Sequence, residues 1–131
     1  MTLSPTIPLG HLARTRSGDK GNHANLGVVA RSPAAYEYLL RELTAERVAA
    51  FFASLNPQGV ERYELPKVGA LNFVLREVLG GGASRSLRID TQGKLLGTAA
   101  LGLPLPWPDD AILASQLGPL AAPTPAPETG W

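Results

Sequence analysis

The sequence predicts one small α+β domain: a mixed or antiparallel sheet of about five strands, with two to three helices on one of its faces. Three observations carry that reading. Val60–Leu65 and Ser84–Asp90 alternate with period two, the mark of half-buried strands. The stretch from Ser32 to Leu55 holds helix-start residues followed by apolar residues at helical spacing. A length of 131 residues with 44% hydrophobic content suits one domain whose core needs no disulfide or metal to hold it.

The elements follow in order. Ile7 to Ala13 reads as a first strand, with Pro8 suggesting an edge position. A glycine-rich, charged turn from Ser17 to Asn25 comes next. Leu26-Gly-Val-Val-Ala30 is a continuous apolar run, suited to a strand buried on both faces. Ser32-Pro33 marks a helix start, with Ser as N-cap and Pro at the first helical position, and the helix runs to the region of Leu43. Thr44 caps a second helix, and Glu46 in its first turn favours the dipole. Val48, Phe51, Phe52 and Leu55 form its stripe, and Asn56-Pro57 stops it. Val60 to Leu65 is a strand. Leu71, Val74, Leu75, Val78 and Leu79 make the stripe of an amphipathic helix that Gly80-Gly81-Gly82 ends. Ser84 to Asp90 is a strand, with Arg85, Leu87 and Ile89 on one side. Thr91-Gln92-Gly93-Lys94 turns the chain into a last strand, Leu95 to Leu103.

That order, β-β-(α-α)-β-α-β-β, makes residues 1–103 the folded domain and 104–131 a Pro/Ala-rich extension. The part of the extension after Gly118 reads as a mobile tail. The helices cover one face of the sheet. The other face is either exposed or packed against a partner or a second copy.

Composition excludes several functions. The net charge of +1 provides no global field for nucleic acid or an anionic membrane. There are no cysteines, hence no disulfide, thiolate metal site or cysteine nucleophile. The apolar runs are too short to span a bilayer, the N-terminus lacks a signal-peptide pattern, and a cytoplasmic protein is expected. His11 and His23 are the only histidines, and no carboxylate stands at a metal-binding spacing from them, so no metal and no cofactor is expected. Nine Arg against three Lys favour planar contacts to carboxylates and phosphates.

The segment Ser17-Gly18-Asp19-Lys20-Gly21-Asn22-His23-Ala24-Asn25 is rich for a hairpin connection, which needs only two to five residues. Its glycines let backbone N–H groups converge on an anion, with Lys20 as the point charge and Arg14 and Arg16 close in sequence. Asp19 or His23 offers an acid or base. A solvated loop, in which Asp19 and Asn22 cap their own backbone, explains the same residues. The GxxxxGK[ST] order of a phosphate-binding loop is absent. A second candidate is Gly80-Gly81-Gly82-Ala83-Ser84-Arg85: one glycine suffices to cap a helix, and an Arg on the apolar side of a strand needs a partner. That partner is a carboxylate or a bound anion. Asn72, at the first turn of its expected helix, is either a cap or a contact to the glycine loop.

Several stretches together resemble a known family. They are Leu12 to Arg31, Leu43-Thr-Ala-Glu-Arg47, Val60-Glu-Arg-Tyr-Glu-Leu-Pro66, Ala70-Leu-Asn-Phe73 and Leu79-Gly-Gly-Gly-Ala-Ser-Arg-Ser-Leu-Arg88. The chain resembles the ferredoxin-like domain found at the C-terminal end of proteins of the AtuA type, a family associated with acyclic terpene utilisation. The resemblance implies a ferredoxin-like sandwich standing alone as a small subunit beside a large AtuA-like chain. It also implies a setting in branched-chain or terpenoid acyl-CoA breakdown, with a CoA thioester as ligand class. It assigns no catalytic residue. One departure is Asn22, where the family usually carries an acid.

Three functions follow as expectations. The chain is an accessory subunit pairing with a large AtuA-like protein. Alternatively it binds an anion or acyl-CoA by itself, as an enzyme or binding module, through Ser17, Gly18, Asp19, Lys20, Gly21, Asn25, Asn72, Gly80, Gly81, Gly82 and Arg85. Or it is a homo-oligomeric structural domain.

Overall fold

A computed structural model describes residues 5–20, 23–78, 96–109, 113, 115 and 124–125. The chain runs through β1 (Pro5–Pro8), a 3-10 turn (Leu9–His11), β2 (Ala13–Lys20), β3 (His23–Ala30), α1 (Pro33–Glu42) and α2 (Ala45–Phe51). A second 3-10 turn (Ala53–Leu55), β4 (Gly59–Leu65), a third (Pro66–Val68) and β5 (Ala70–Arg76) follow. Residues 96–100 are helical, and β6 (Pro104–Pro106) and β7 (Thr124–Pro125) come after them. The class is α+β, and every described strand pairing is antiparallel.

Both helix starts form as the sequence implies. The Ser32 hydroxyl accepts from the Ala35 N–H at 3.1 Å with Pro33 beginning the helix, and the Thr44 hydroxyl accepts from the Arg47 N–H at 3.1 Å. Arg62 on β4 closes the other end of α1. Its guanidinium donates to the carbonyls of Leu40 at 3.0 Å and Leu43 at 3.1 Å, acceptors that a helix C-terminus leaves unpaired.

The main sheet has the order β2-β3-β5-β4. Leu26, Val28, Leu71, Phe73 and Leu75 are buried on the face that α1 and α2 cover. The helical segment 96–100 lies over β2 on the same side: the Thr15 hydroxyl donates to the Gly97 carbonyl at 2.5 Å. A smaller sheet, β6-β1-β7, joins the same core through Ile7 and Leu105. The Tyr38 hydroxyl donates to the Pro106 carbonyl and ties α1 to this sheet.

Several expectations change. The strand expected over Ile7 to Ala13 is two strands of different sheets, separated by a turn in which the Leu12 N–H returns to the Leu9 carbonyl. Gly10 permits the turn to lie against Leu101, whose side chain sits 3.3 Å from where a Cβ would stand. β1 is not an edge: it lies between β6 and β7, and Pro5 and Pro8 stand at its ends.

The turn expected from Ser17 to Asn25 is mostly paired strand. The β2–β3 register continues to Lys20↔His23, and only Gly21-Asn22 separates the strands, a residue pair that suits a two-residue hairpin link. Where a helix is expected from Leu71 to Leu79, Leu71 to Arg76 belong to β5. Leu71, Phe73 and Leu75 are all buried, an alternation that competes with the helical spacing of Leu71, Val74, Leu75 and Val78. Phe73, absent from the helical stripe, is fully buried, and β-branched and aromatic residues favour the pleated surface.

The strand expected over Leu95 to Leu103 contains helix instead. Leu96, Ala100 and Leu103, spaced four and three apart, all turn inward. The expected strand over Ser84 to Asp90 and its turn lie outside the described residues. Within the C-terminal extension, Pro104–Pro106 and Thr124–Pro125 pair with β1.

Candidate functional site

Residues directly opposite each other in neighbouring strands share a face. The face turned away from the helices is therefore read from the register. One row is Arg14–Val29–Ala70–Leu65, the next Arg16–Gly27–Asn72–Tyr63, and the third Gly18–Asn25–Val74–Glu61. Val29, Tyr63 and Leu65 are 37%, 49% and 46% exposed, and Val68, just beyond β4, is 65% exposed. A soluble domain rarely leaves so many large apolar side chains together on one face.

An open depression of about 530 Å³ occupies the end of this face nearest Arg14 and Leu65. Gly27 lines it from β3, one of the two inner strands. Arg14 and Arg16 from the edge strand β2 form one wall, Val29, Leu65 and Val68 an apolar one, and half-buried Asn72 contributes its amide. Neither Arg14 nor Arg16 has a carboxylate partner among the described residues. Two guanidiniums without a carboxylate partner among the described residues, and an amide beside an apolar wall, suit an anion that carries an apolar portion.

The far end of the face is neutralised internally. Arg76 donates to Glu61 at 2.5 Å, and the Tyr63 hydroxyl donates to the same carboxylate at 2.5 Å. The Arg76 bond, and then the Tyr63 bond, hold the Glu61 carboxyl below the usual carboxylate range. The same hydrogen bond to Glu61 pushes the Tyr63 phenol up. Beside this cluster the Glu77 N–H donates to His23 Nδ1 at 3.1 Å, so neutral His23 carries its proton on Nε2.

The described sequence-derived candidates are divided between the two faces of the sheet. Gly18, Asn25 and Asn72 share this face, uncovered among the described residues, and Asn72 enters the depression. Ser17 lies on the covered side: a Cβ on Gly97 would stand 3.2 Å from its backbone N and its Oγ. The backbones of Asp19 and Lys20 complete β2. Gly21, Gly80, Gly81, Gly82 and Arg85 lie outside the described residues. Gly27 and Val68 carry no signal that singles them out in the sequence, Tyr63 and Leu65 stand there only as residues on one face of an alternating strand, and Arg14 and Arg16 only as neighbours of the glycine turn. The one visible clue is alternation: Arg14 and Arg16 interleave with Ala13, Thr15 and Ser17.

Among the described residues, no group of three or more His, Cys, Asp or Glu could hold a metal ion, and no helix is long and apolar enough to cross a membrane. Residues 7–106, from β1 through β6, match the family model of the AtuA ferredoxin-like domain. The chain belongs to the AtuA ferredoxin-like domain family. The match contains the whole four-stranded sheet and both helices, so the uncovered face and its depression are built within the AtuA ferredoxin-like domain itself. No curated protein and no solved structure matches the chain.

Proposed function

We propose that this AtuA ferredoxin-like domain is a binding module that pairs with a larger protein of AtuA type, as an accessory subunit in branched-chain or terpenoid acyl-CoA catabolism. The observation that carries the reading is the patch of exposed apolar side chains on and beside the uncovered sheet face: Val29, Tyr63, Leu65 and Val68. Burying such side chains returns roughly 25 cal/mol per Å² of apolar surface, and a partner that covers the face collects that gain. Arg14 and Arg16 on one side and the Glu61–Arg76 pair on the other give the patch a polar rim, as interfaces have. The acyl-CoA setting is supported by the family's association and not by geometry.

Co-expression of the two chains followed by gel filtration tests the pairing. Co-elution in one peak at fixed stoichiometry is expected. Elution of the two chains as separate peaks would contradict it.

A further inference from the structure

The depression around Gly27 has a chemistry that a plain protein interface does not require. Arg14 and Arg16 stand two positions apart on one edge strand, so their stems leave the backbone about 7 Å from each other on the same face. Charged residues on an edge strand also serve to block sheet-to-sheet association. That role needs neither a hollow beside them nor an absent side chain opposite. Here Gly27 on β3, directly across from Arg16 on β2 and from Asn72 on β5, leaves the floor bare. Steric need does not explain this glycine. No left-handed backbone angle is recorded there, and an added Cβ would meet only the Arg16 carbonyl, at an ordinary 3.6 Å. A β-branched residue would suit a central strand better. The bare floor therefore keeps space open between two guanidiniums, an amide and an apolar wall.

We propose that this depression binds the anionic head of a small amphipathic molecule, a carboxylate or phosphate ester joined to an aliphatic chain. Arg14 and Arg16 take the head as charge-assisted donors, with the Asn72 amide as a further partner. Val29, Leu65 and Val68 take the first part of the chain. A volume of about 530 Å³ holds a head and a short tail, so a longer ligand extends into solvent or toward whatever covers the face.

The test uses the chain alone, so its failure does not bear on pairing with a larger protein, and a failed pairing assay does not bear on it. The ¹⁵N-labelled chain is titrated with octyl phosphate, octanoate, octanol and inorganic phosphate. Saturable shifts are expected at residues of β2, β3 and β5 around Gly27, with one of the two amphipathic anions binding at least about tenfold tighter than octanol or inorganic phosphate. Which of the two binds tighter identifies the head group. Arg14→Ala and Arg16→Ala each weaken binding about tenfold or more, whereas Arg76→Ala, whose guanidinium is already held by Glu61, changes it little. Gly27→Val abolishes binding while its urea midpoint stays at or above that of the parent chain. Equal binding of octanol and the anions, undiminished binding in Gly27→Val, or no shifts with any probe would each overturn the proposal.

Discussion

Gly97 and Gly27 face opposite steric situations, and the difference decides what a methyl group does at each. Gly97 is helical, so alanine there gains up to about 1 kcal/mol in helix propensity. Its new Cβ, however, would stand 3.2 Å from the backbone N and Oγ of Ser17, atoms fixed in β2. Overpacking against such atoms costs about 1–3 kcal/mol, and the strain wins. Gly97→Ala is expected to lower unfolding free energy by about 1 kcal/mol in urea titration, where propensity alone predicts a gain of similar size.

Two tyrosines of α1 make a second contrast. The Tyr38 hydroxyl donates to the Pro106 carbonyl, whereas the buried Tyr36 hydroxyl has no hydrogen-bond partner among the described residues. Tyr38→Phe should cost about 1 kcal/mol, and Tyr36→Phe should be neutral or stabilising. Burial, and after it the Glu42 carboxylate, pushes the Tyr38 phenol well above its ordinary value; burial and then Glu64 push Tyr36 up as well. The raised folded value keeps the phenol protonated in the fold while the unfolded chain ionises near pH 10. The contribution is thus full below about pH 10 and lost as pH rises above it. Urea midpoints measured from pH 8 upward should fall beyond pH 10, less steeply in the double Phe variant.

Among the elements, α1 and α2 meet at a corner that Arg62 holds from β4. Its fork reaches the Leu40 and Leu43 carbonyls, and its second nitrogen pairs with Glu64 at 2.9 Å. Arg62→Met keeps the stem and removes the fork. The expected cost is about 1–3 kcal/mol, with faster amide exchange in the last turn of α1. Both helix starts were legible because Ser32-Pro33 and Thr44 act through bonds to residues three positions on. β5 was not, because Leu71, Leu75 and Val78 satisfy a helical spacing as well as most of an alternation. Pairing on one side with β3, distant in sequence, and on the other with β4, just before it, settles it as strand. The 96–100 segment failed in the other direction, since its inward residues are spaced for a helix but are few.

On the scale of the whole molecule, the candidate site is a property of register. Arg16, Gly27, Asn72 and Tyr63 become neighbours only when four strands align, and no local pattern states that alignment. Gly18, Asn25 and Asn72 were visible as polar or small residues in unusual places; that the first two lie beyond the depression was not. The uncovered face as a whole was legible, because helices between strands cover only one side. The central claim is that this face, and not the helical side, receives a partner. Phe51 on α2, 37% exposed, is the large apolar side chain exposed outside that face among the described residues. The direct measurement is the affinity of the chain for the proposed large AtuA-type partner in Leu65→Glu and Phe51→Glu. The account predicts a loss of at least about tenfold for Leu65→Glu and none for Phe51→Glu. Full affinity in Leu65→Glu with loss in Phe51→Glu would contradict it.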